Sequence, residues 1–432
     1  MLFSPHERIV KAIQGFIKDR YIEKANFLRL HKMYPYFRSI DDNGTTRVTV
    51  GGKQQVMIGS NNYLGLTHHP YVKEQACKAI EKYGTGCTGS RFLNGSLTIH
   101  EELEDKLAKF VGQETSLVFA TGMQVNLGAL SALLGPRDCA FSDVENHASI
   151  IDGFRLSLSD AIYKYKHNNM DELEDLIASH CHMYDRMVIV TDGVFSMTGD
   201  IALIPEIAAI AKKYGALFYI DDAHGIGVLG DHGRGTANYF GLTSHDVHFQ
   251  MGTFSKSFAT IGGFLAGSKD SIDYVKHHAR AFIFSAALAP SAVATVRACL
   301  ELISKDDSFQ KRLFENSEFM RRGLSDIGFS TLSSITPIVP VFVGDDIMAM
   351  KLTMFLHDQG VFVTPVIAPA TPPGMALIRT SYSSAHTREE LQYCLDVFAK
   401  AYRTFELHKI EFKGSHNHPG HQAKGNLQGI KQ

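Results

Sequence analysis

Between Ser116 and Met251, short apolar runs recur with room for a helix between several of them. No other feature constrains the fold of this chain so strongly. The runs are Ser116 to Ala120, Cys139 to Ser142, Met187 to Thr191, Ala216 to Ile220 and Val247 to Met251. Strands that alternate with helices predict an α/β fold, a mainly parallel sheet covered on both faces. In such sheets a ligand binds beyond the carboxyl ends of the strands. At 432 residues the chain can bury a large core, and length alone suggests about two or three domains.

The flanking segments read differently. Residues from about Pro5 to Leu30 predict an amphipathic helical lead, with Ile9, Ile13, Phe16 and Ile17 at helical spacing. Arg47 to Val50 and Gln55 to Ile58, separated by Gly51-Gly52, predict a small hairpin. After a long helix from Pro290 to about Ile303, residues from about 310 to 407 alternate helices with short strands, as a smaller C-terminal α+β domain would. The expected division is 1–60 for the lead and hairpin, 61–300 for the large domain, 301–409 for the small one and 410–432 for a tail. That tail is rich in Gly, His, Gln and Lys and reads as disordered.

Composition excludes several function classes. The net charge is −2, which gives no reason to expect nucleic acid as the main partner. Six cysteines without CxxC spacing fit reduced thiols better than a disulfide framework. Met1 to Lys11 is too polar for a secretory signal, and no apolar run reaches the roughly 18 residues that a span requires. A cytoplasmic protein is expected, with peripheral contact at the inner face of the membrane as a further possibility for the N-terminal helix.

The polar residues that follow the predicted strands carry the chemistry. Gly252-Thr253-Phe254-Ser255-Lys256-Ser257 places a lysine between hydroxyl residues and ahead of small and apolar ones. A buried ammonium is costly unless it is paired, deprotonated or used covalently. Read alone, this stretch also fits a lysine whose head snorkels to water. The sharper reading is a Schiff-base lysine of a pyridoxal phosphate site. That cofactor needs the lysine, a carboxylate at its ring nitrogen, a stacking partner and a phosphate cradle. Asp221-Asp222-Ala223-His224 follows one strand, and the three-residue spacing to His224 selects Asp221 over Asp222 for the ring nitrogen. His224 is then available to the ring oxygen. Thr121-Gly122-Met123 at a helix N-terminus suits a phosphate, with Thr253 and Ser255 as side-chain donors. His147 follows another strand and can stack on the ring, and Ser196 follows a further one. Asn61, in Ser60 to Leu66, is either a turn residue or a contact to a polar substrate group. Zinc competes for the same His and Asp residues, yet no HExxH or CxxC spacing supports it. Gly84 to Arg91 is glycine-rich but lacks P-loop spacing.

Together these stretches resemble the α-oxoamine synthase family of fold-type-I pyridoxal phosphate enzymes. The resemblance runs from about Asn61 to His386. It rests on NNYLGL at 61–66, GTGCTGSR at 84–91, NHAS at 146–149, DGVFSMTGD at 192–200, DDAHGIGVLG at 221–230 and TFSKS at 253–257. It implies a homodimer with the site at the subunit interface, and condensation of an amino acid with an acyl-CoA to release carbon dioxide and CoA. Carried over by position, it implies Lys256 as the Schiff-base lysine, Asp221 at the ring nitrogen, His147 stacking, and His224 and Ser196 near the ring oxygen. Gly122, Met123, Thr253 and Ser255 are implied at the phosphate, and Ser285 at the partner subunit's phosphate. Arg379, in Ile378-Arg379-Thr380-Ser381, resembles the arginine that binds the substrate carboxylate, with Asn61 as a second candidate and His147 also close to the substrate. Serines on both sides of the lysine, Ser255 and Ser257, and the Pro369 to Gly374 loop are similar to the branch that uses L-serine and long-chain acyl-CoA. That branch makes 3-ketosphinganine, the first step of sphingolipid biosynthesis. The branches using glycine with acetyl-CoA or alanine with pimeloyl-CoA are the alternatives, as is a noncatalytic partner subunit. Asp192 stands where many members have glutamate, and Met123 where an aromatic is common.

Overall fold

The computed structural model describes residues 4–17 and 20–407. A seven-stranded sheet contains all five expected runs and two more strands. The strands are β1 (Thr115–Phe119), β2 (Asp138–Asp143), β3 (Ala161–Tyr165), β4 (Arg186–Asp192), β5 (Leu217–Asp221), β6 (Phe249–Thr253) and β7 (Gly263–Gly267). They lie in the order β1-β7-β6-β5-β4-β2-β3. The five strands from β2 to β6 pair in parallel, while β7 runs against both of its neighbours, β1 and β6.

Helices cover both faces, which is why the central strands are buried along nearly their whole length, apart from first residues such as Arg186 and Leu217. On one face α1 (Gly122–Leu133) and α2 (Ala148–Leu156) pack Val125, Leu130 and Ile150 onto Leu117, Val190 and Tyr219. On the other, the helices Met170–His180 and Ile204–Tyr214 enclose Phe141, Ile189 and Phe218. Phe141 and Phe218 are fully buried, and each such side chain contributes about 1.5–3 kcal/mol of transfer free energy. Two strands escaped the sequence reading for physical reasons. β3 is an edge strand whose Ala-Ile-Tyr-Lys-Tyr pattern is only partly covered. β7 is bounded by glycines because a Cβ at Gly263 would lie 2.8 Å from the Gly122 Cα.

The C-terminal residues form a second, antiparallel sheet of β8 (Ile338–Gly344), β9 (Thr364–Val366) and β10 (Ala376–Ser381), in the order β8-β10-β9. The helices Ser308–Ile327, Asp346–Asp358 and Arg388–Thr404 pack against it around a separate apolar core. The expected hairpin forms from Arg47–Val50 and Lys53–Met57, and Gly51 and Gly52 adopt the positive φ that its tight turn requires. Its second strand also pairs in parallel with Val361–Phe362, so Val56 and Ile58 join the C-terminal core.

The N-terminal lead forms helices Pro5–Ile17 and Arg20–Leu30, on which Ile9 and Ile13 are more than half exposed. The side chains of Phe16 and Ile17, and the tail 410–432, lie outside the described residues. Among the described residues no helix is long and apolar enough to cross a membrane.

Candidate active site

Parallel register alone sets two acids side by side. Asp192 ends β4, Asp221 ends β5, and the two are direct partners in the ladder. Both are buried. Each oxygen of Asp221 accepts one hydrogen bond, Oδ2 from Asn126 Nδ2 at 2.6 Å and Oδ1 from the Ala223 amide at 3.1 Å. One Asp192 oxygen is buried without a hydrogen bond. Burial, and next the Asp221 charge, pushes the Asp192 carboxyl well above its ordinary range. Asp222 has a different task. Its carboxylate is buried against the Thr236 amide at 2.7 Å, the Thr236 hydroxyl and Gln250 Nε2 at 2.8 Å, pinning the loop that follows.

Lys256 lies three residues beyond the end of β6. Its side chain retains some solvent contact, yet protein surrounds it closely, and this desolvation lowers its pKa to about 8. Asp221 and Asp192 oppose that drop and Arg379 adds to it, so all three act on one amine.

The next strand end opens on a helix start. Thr121 caps α1, its hydroxyl accepting from the Gln124 amide at 3.1 Å. Gly122 leaves no room for a side chain: a Cβ there would meet Thr253 Oγ1 at 2.5 Å. Thr253 in turn lies 3.0 Å from Ser255 Oγ, so two hydroxyls gather beside the first turn of α1. Met123 is half exposed at the same turn. Ser285 reaches this place within its own chain, where Gln124 Nε2 donates to its hydroxyl at 2.9 Å.

His147 caps α2 and leaves its ring exposed. Its Nδ1 is held 2.7 Å from Ser149 Oγ, which accepts from Asn126 at 2.8 Å. Asn126 therefore joins the His147 loop to Asp221, and its own oxygen accepts from Tyr219 at 2.7 Å. A second tie links the loops after β2 and β4. His167 lies 3.1 Å from Asp143 Oδ1 and 2.6 Å from Asp200 Oδ2.

Arg379 arrives on β10. Its Nε donates to the Ser196 carbonyl at 2.6 Å and its Nη2 to Asn61 Oδ1 at 2.8 Å. Tyr63, buried beside them, lies 3.3 Å from Asn61 Oδ1 and 2.7 Å from His224 Nδ1. Burial, then the charges of Lys256 and Arg379, holds the His224 pKa well below its ordinary value, so the imidazole is neutral.

The structure thus brings Lys256, Asp221, His224, Arg379, Asn61 and Ser196 into one cluster, joined through Asn126 to His147. Gly122, Thr253, Ser255 and Ser285 gather at the helix start beside it. These residues fit pyridoxal phosphate on their own chemistry: a desolvated amine, a hydrogen-bonded carboxylate, and a helix N-terminus where glycine lets hydroxyls close in. Among the described residues no group of three His, Cys, Asp or Glu side chains is placed to hold a metal ion.

Asn126, Tyr63, Ser149 and His167 were not singled out from the sequence. Asn126 could have been found as the polar residue in the otherwise apolar Val125-Asn126-Leu127 of a strand-following helix. Tyr63 sits inside the quoted Asn61 to Leu66 motif but gives no local sign of its partners.

Comparison with known proteins follows the same lines. The profile of the family "Aminotransferase class I and II" matches residues 53–398. Serine palmitoyltransferase of Bacteriovorax stolpii is 58% identical over 392 residues, 91% of this chain and 93% of that protein. An 8-amino-7-oxononanoate synthase of Thermoanaerobacter pseudethanolicus is 41% identical over 378 residues, 88% of this chain and 95% of that protein. A solved serine palmitoyltransferase variant from S. paucimobilis, with a bound PLP–myriocin aldimine, superposes with a TM-score of 0.86. The two are 33% identical, with 90% of this chain and 98% of that one covered.

Proposed function

The chain belongs to the aminotransferase class I and II family, and from that premise we propose that it condenses L-serine with palmitoyl-CoA to 3-ketosphinganine, CoA and carbon dioxide. It is a pyridoxal-phosphate-dependent acyltransferase of the α-oxoamine synthase kind. The observation that carries the reading is Lys256, an amine lowered to a pKa of about 8 by desolvation and influenced by Asp221, Asp192 and Arg379 together. The choice of serine over alanine is supported by the 58% identity to a serine palmitoyltransferase, against 41% to an 8-amino-7-oxononanoate synthase.

Bound pyridoxal phosphate supplies an electron sink for the substrate α-carbon. The rest is work for the protein's own side chains. Lys256 would hold the cofactor covalently, and its amine would move the proton at the serine α-carbon. A pKa near 8 keeps an appreciable fraction of its amine neutral at neutral pH. Asp221, hydrogen-bonded by Asn126 and the Ala223 amide, would hold the proton of the ring nitrogen. His147 covers the ring face, and His224 and Ser196 serve the ring oxygen. Gly122, Met123, Thr253 and Ser255 hold the phosphate at the start of α1. Arg379 binds the serine carboxylate with its guanidinium fork, oriented by Asn61 and the Ser196 carbonyl.

The reading extends to a cytoplasmic homodimer with the site at the subunit interface; Ser285, expected at the partner's phosphate, instead lies beside Gln124 at the α1 start of its own chain. The half-exposed Ile9 and Ile13 would touch the inner membrane face, from which long acyl chains are collected. The deciding experiment offers purified protein L-serine, L-alanine and glycine in competition, with palmitoyl-CoA, and identifies products by mass. Dominant 3-ketosphinganine is expected. A dominant alanine or glycine product would overturn the choice of amino acid while leaving the cofactor site standing.

A further inference from the structure

The geometry points to Tyr63 as a positioning residue that gives its one proton to His224 Nδ1 and so presents His224 Nε2 as an N–H donor to the cofactor ring oxygen. The inference rests on the reading of His224 as the ring-oxygen contact.

The Tyr63 hydroxyl has three polar neighbours. Arg379 Nη2, at 3.5 Å, can only donate. Asn61 Oδ1, at 3.3 Å, can only accept. His224 Nδ1, at 2.7 Å, can do either, depending on its tautomer. The single phenolic proton therefore goes either to Asn61 or to His224. If Asn61 took it, His224 Nδ1 would have to donate to Tyr63, and Nε2 would be a bare acceptor facing an electron-rich ring oxygen. Three observations favour the other arrangement. The contact to His224 is the shorter by 0.6 Å, from 3.3 and 2.7 Å. Asn61 Oδ1 already receives a charge-assisted bond from Arg379 Nη2 at 2.8 Å. The guanidinium beside the Tyr63 oxygen also polarises its O–H bond toward donation.

Both partners suit this task. Tyr63 is 1% exposed, and burial raises its pKa, so the phenol keeps its proton. The charges bearing on His224, from Lys256 and Arg379, both oppose a second proton on its ring. A neutral imidazole with Nδ1 accepting must carry its hydrogen on Nε2. The hydroxyl thus connects the carboxylate-binding arginine to the residue serving the cofactor ring, within one side chain of each.

The test compares wild-type protein with Tyr63→Phe and Asn61→Ala. Each apoprotein is titrated with pyridoxal phosphate by fluorescence, and the pH titration of the cofactor's visible absorbance is recorded. Tyr63→Phe keeps the buried ring and removes only the donor. Its cofactor affinity should fall about tenfold, as for one lost buried hydrogen bond. Its absorbance midpoint should move, while the apoprotein melts as wild type does. Asn61→Ala should keep wild-type cofactor affinity and midpoint and lose affinity for L-serine instead. Wild-type values in Tyr63→Phe would overturn the inference, as would a loss of cofactor affinity of about tenfold in Asn61→Ala. The second outcome decides the matter even if Tyr63→Phe fails to fold. A wild-type apoprotein that takes up no pyridoxal phosphate would instead overturn the underlying reading of the site.

Discussion

Replacing Gly122 by alanine tests the phosphate cradle with a single methyl group. The added Cβ would lie 2.5 Å from Thr253 Oγ1 and 2.8 Å from Thr253 Cβ. Thr253 is β-branched and ends a central strand, so its Cβ cannot swing away without moving the backbone. Shifting it weakens the bond from its hydroxyl to the Gly262 carbonyl at 3.1 Å and the contact with Ser255 Oγ at 3.0 Å. Two such bonds at about 1 kcal/mol each, with the milder part of an overpacking cost, amount to about 2–3 kcal/mol. Expressed as affinity this is roughly 30- to 150-fold, at about 1.4 kcal/mol per factor of ten. The assay is fluorescence titration of the apoprotein with pyridoxal phosphate, alongside thermal melting of both forms. Gly86→Ala is the control, because a Cβ there has nothing within 4 Å, and it should match wild type in both measurements. Gly122→Ala binding within about threefold of wild type and melting with it would refute the reasoning.

Three other perturbations address different parts of the site. Lys256→Ala should abolish the visible absorbance that marks covalent attachment of the cofactor, along with product formation; persistence of that absorbance would remove Lys256 from its role. Arg379→Lys should raise the dissociation constant for L-serine by about tenfold or more, because an ammonium cannot reproduce the fork. Cofactor affinity should hold in that variant, and an unchanged serine constant would place the carboxylate elsewhere. For His167, burial opposes the charge, but the hydrogen bonds to Asp143 and Asp200 prevail and raise its pKa to about 10, above the ordinary 6.5. The protonated ring therefore favours the folded state, a contribution complete below about pH 6.5 and lost as the pH climbs through about 10. The melting-temperature gap between wild type and His167→Gln should narrow over that range; a gap independent of pH would show that the ring's charge contributes nothing.

What the sequence determined by itself was the set of strand ends and the chemistry attached to them. Apolar runs bounded by polar turns are local signals, and the fold rule that places ligands at the carboxyl ends of parallel strands converts them into a site. Asp221, His147, Gly122, Thr253 and Lys256 were therefore legible as a group before any contact was known. The spacing to His224 favoured Asp221 over Asp222 for the ring nitrogen, and in the structure the Asp222 carboxylate is bonded to Thr236 and Gln250.

Tertiary structure decided which of these groups touch and in what state. Asn126 and Asp221 are 95 residues apart, Tyr63 and His224 are 161, and Ser196 and Arg379 are 183. No local pattern encodes such pairs, because each depends on how strands are ordered across the sheet and on where β10 presents its arginine. The insertion of β7 between β1 and β6, against their direction, is equally invisible in the order of the chain. The protonation states follow last. The lowered pKa of Lys256 and the neutral ring of His224 arise from desolvation and from charges contributed by distant segments, and these exist only once the chain is folded.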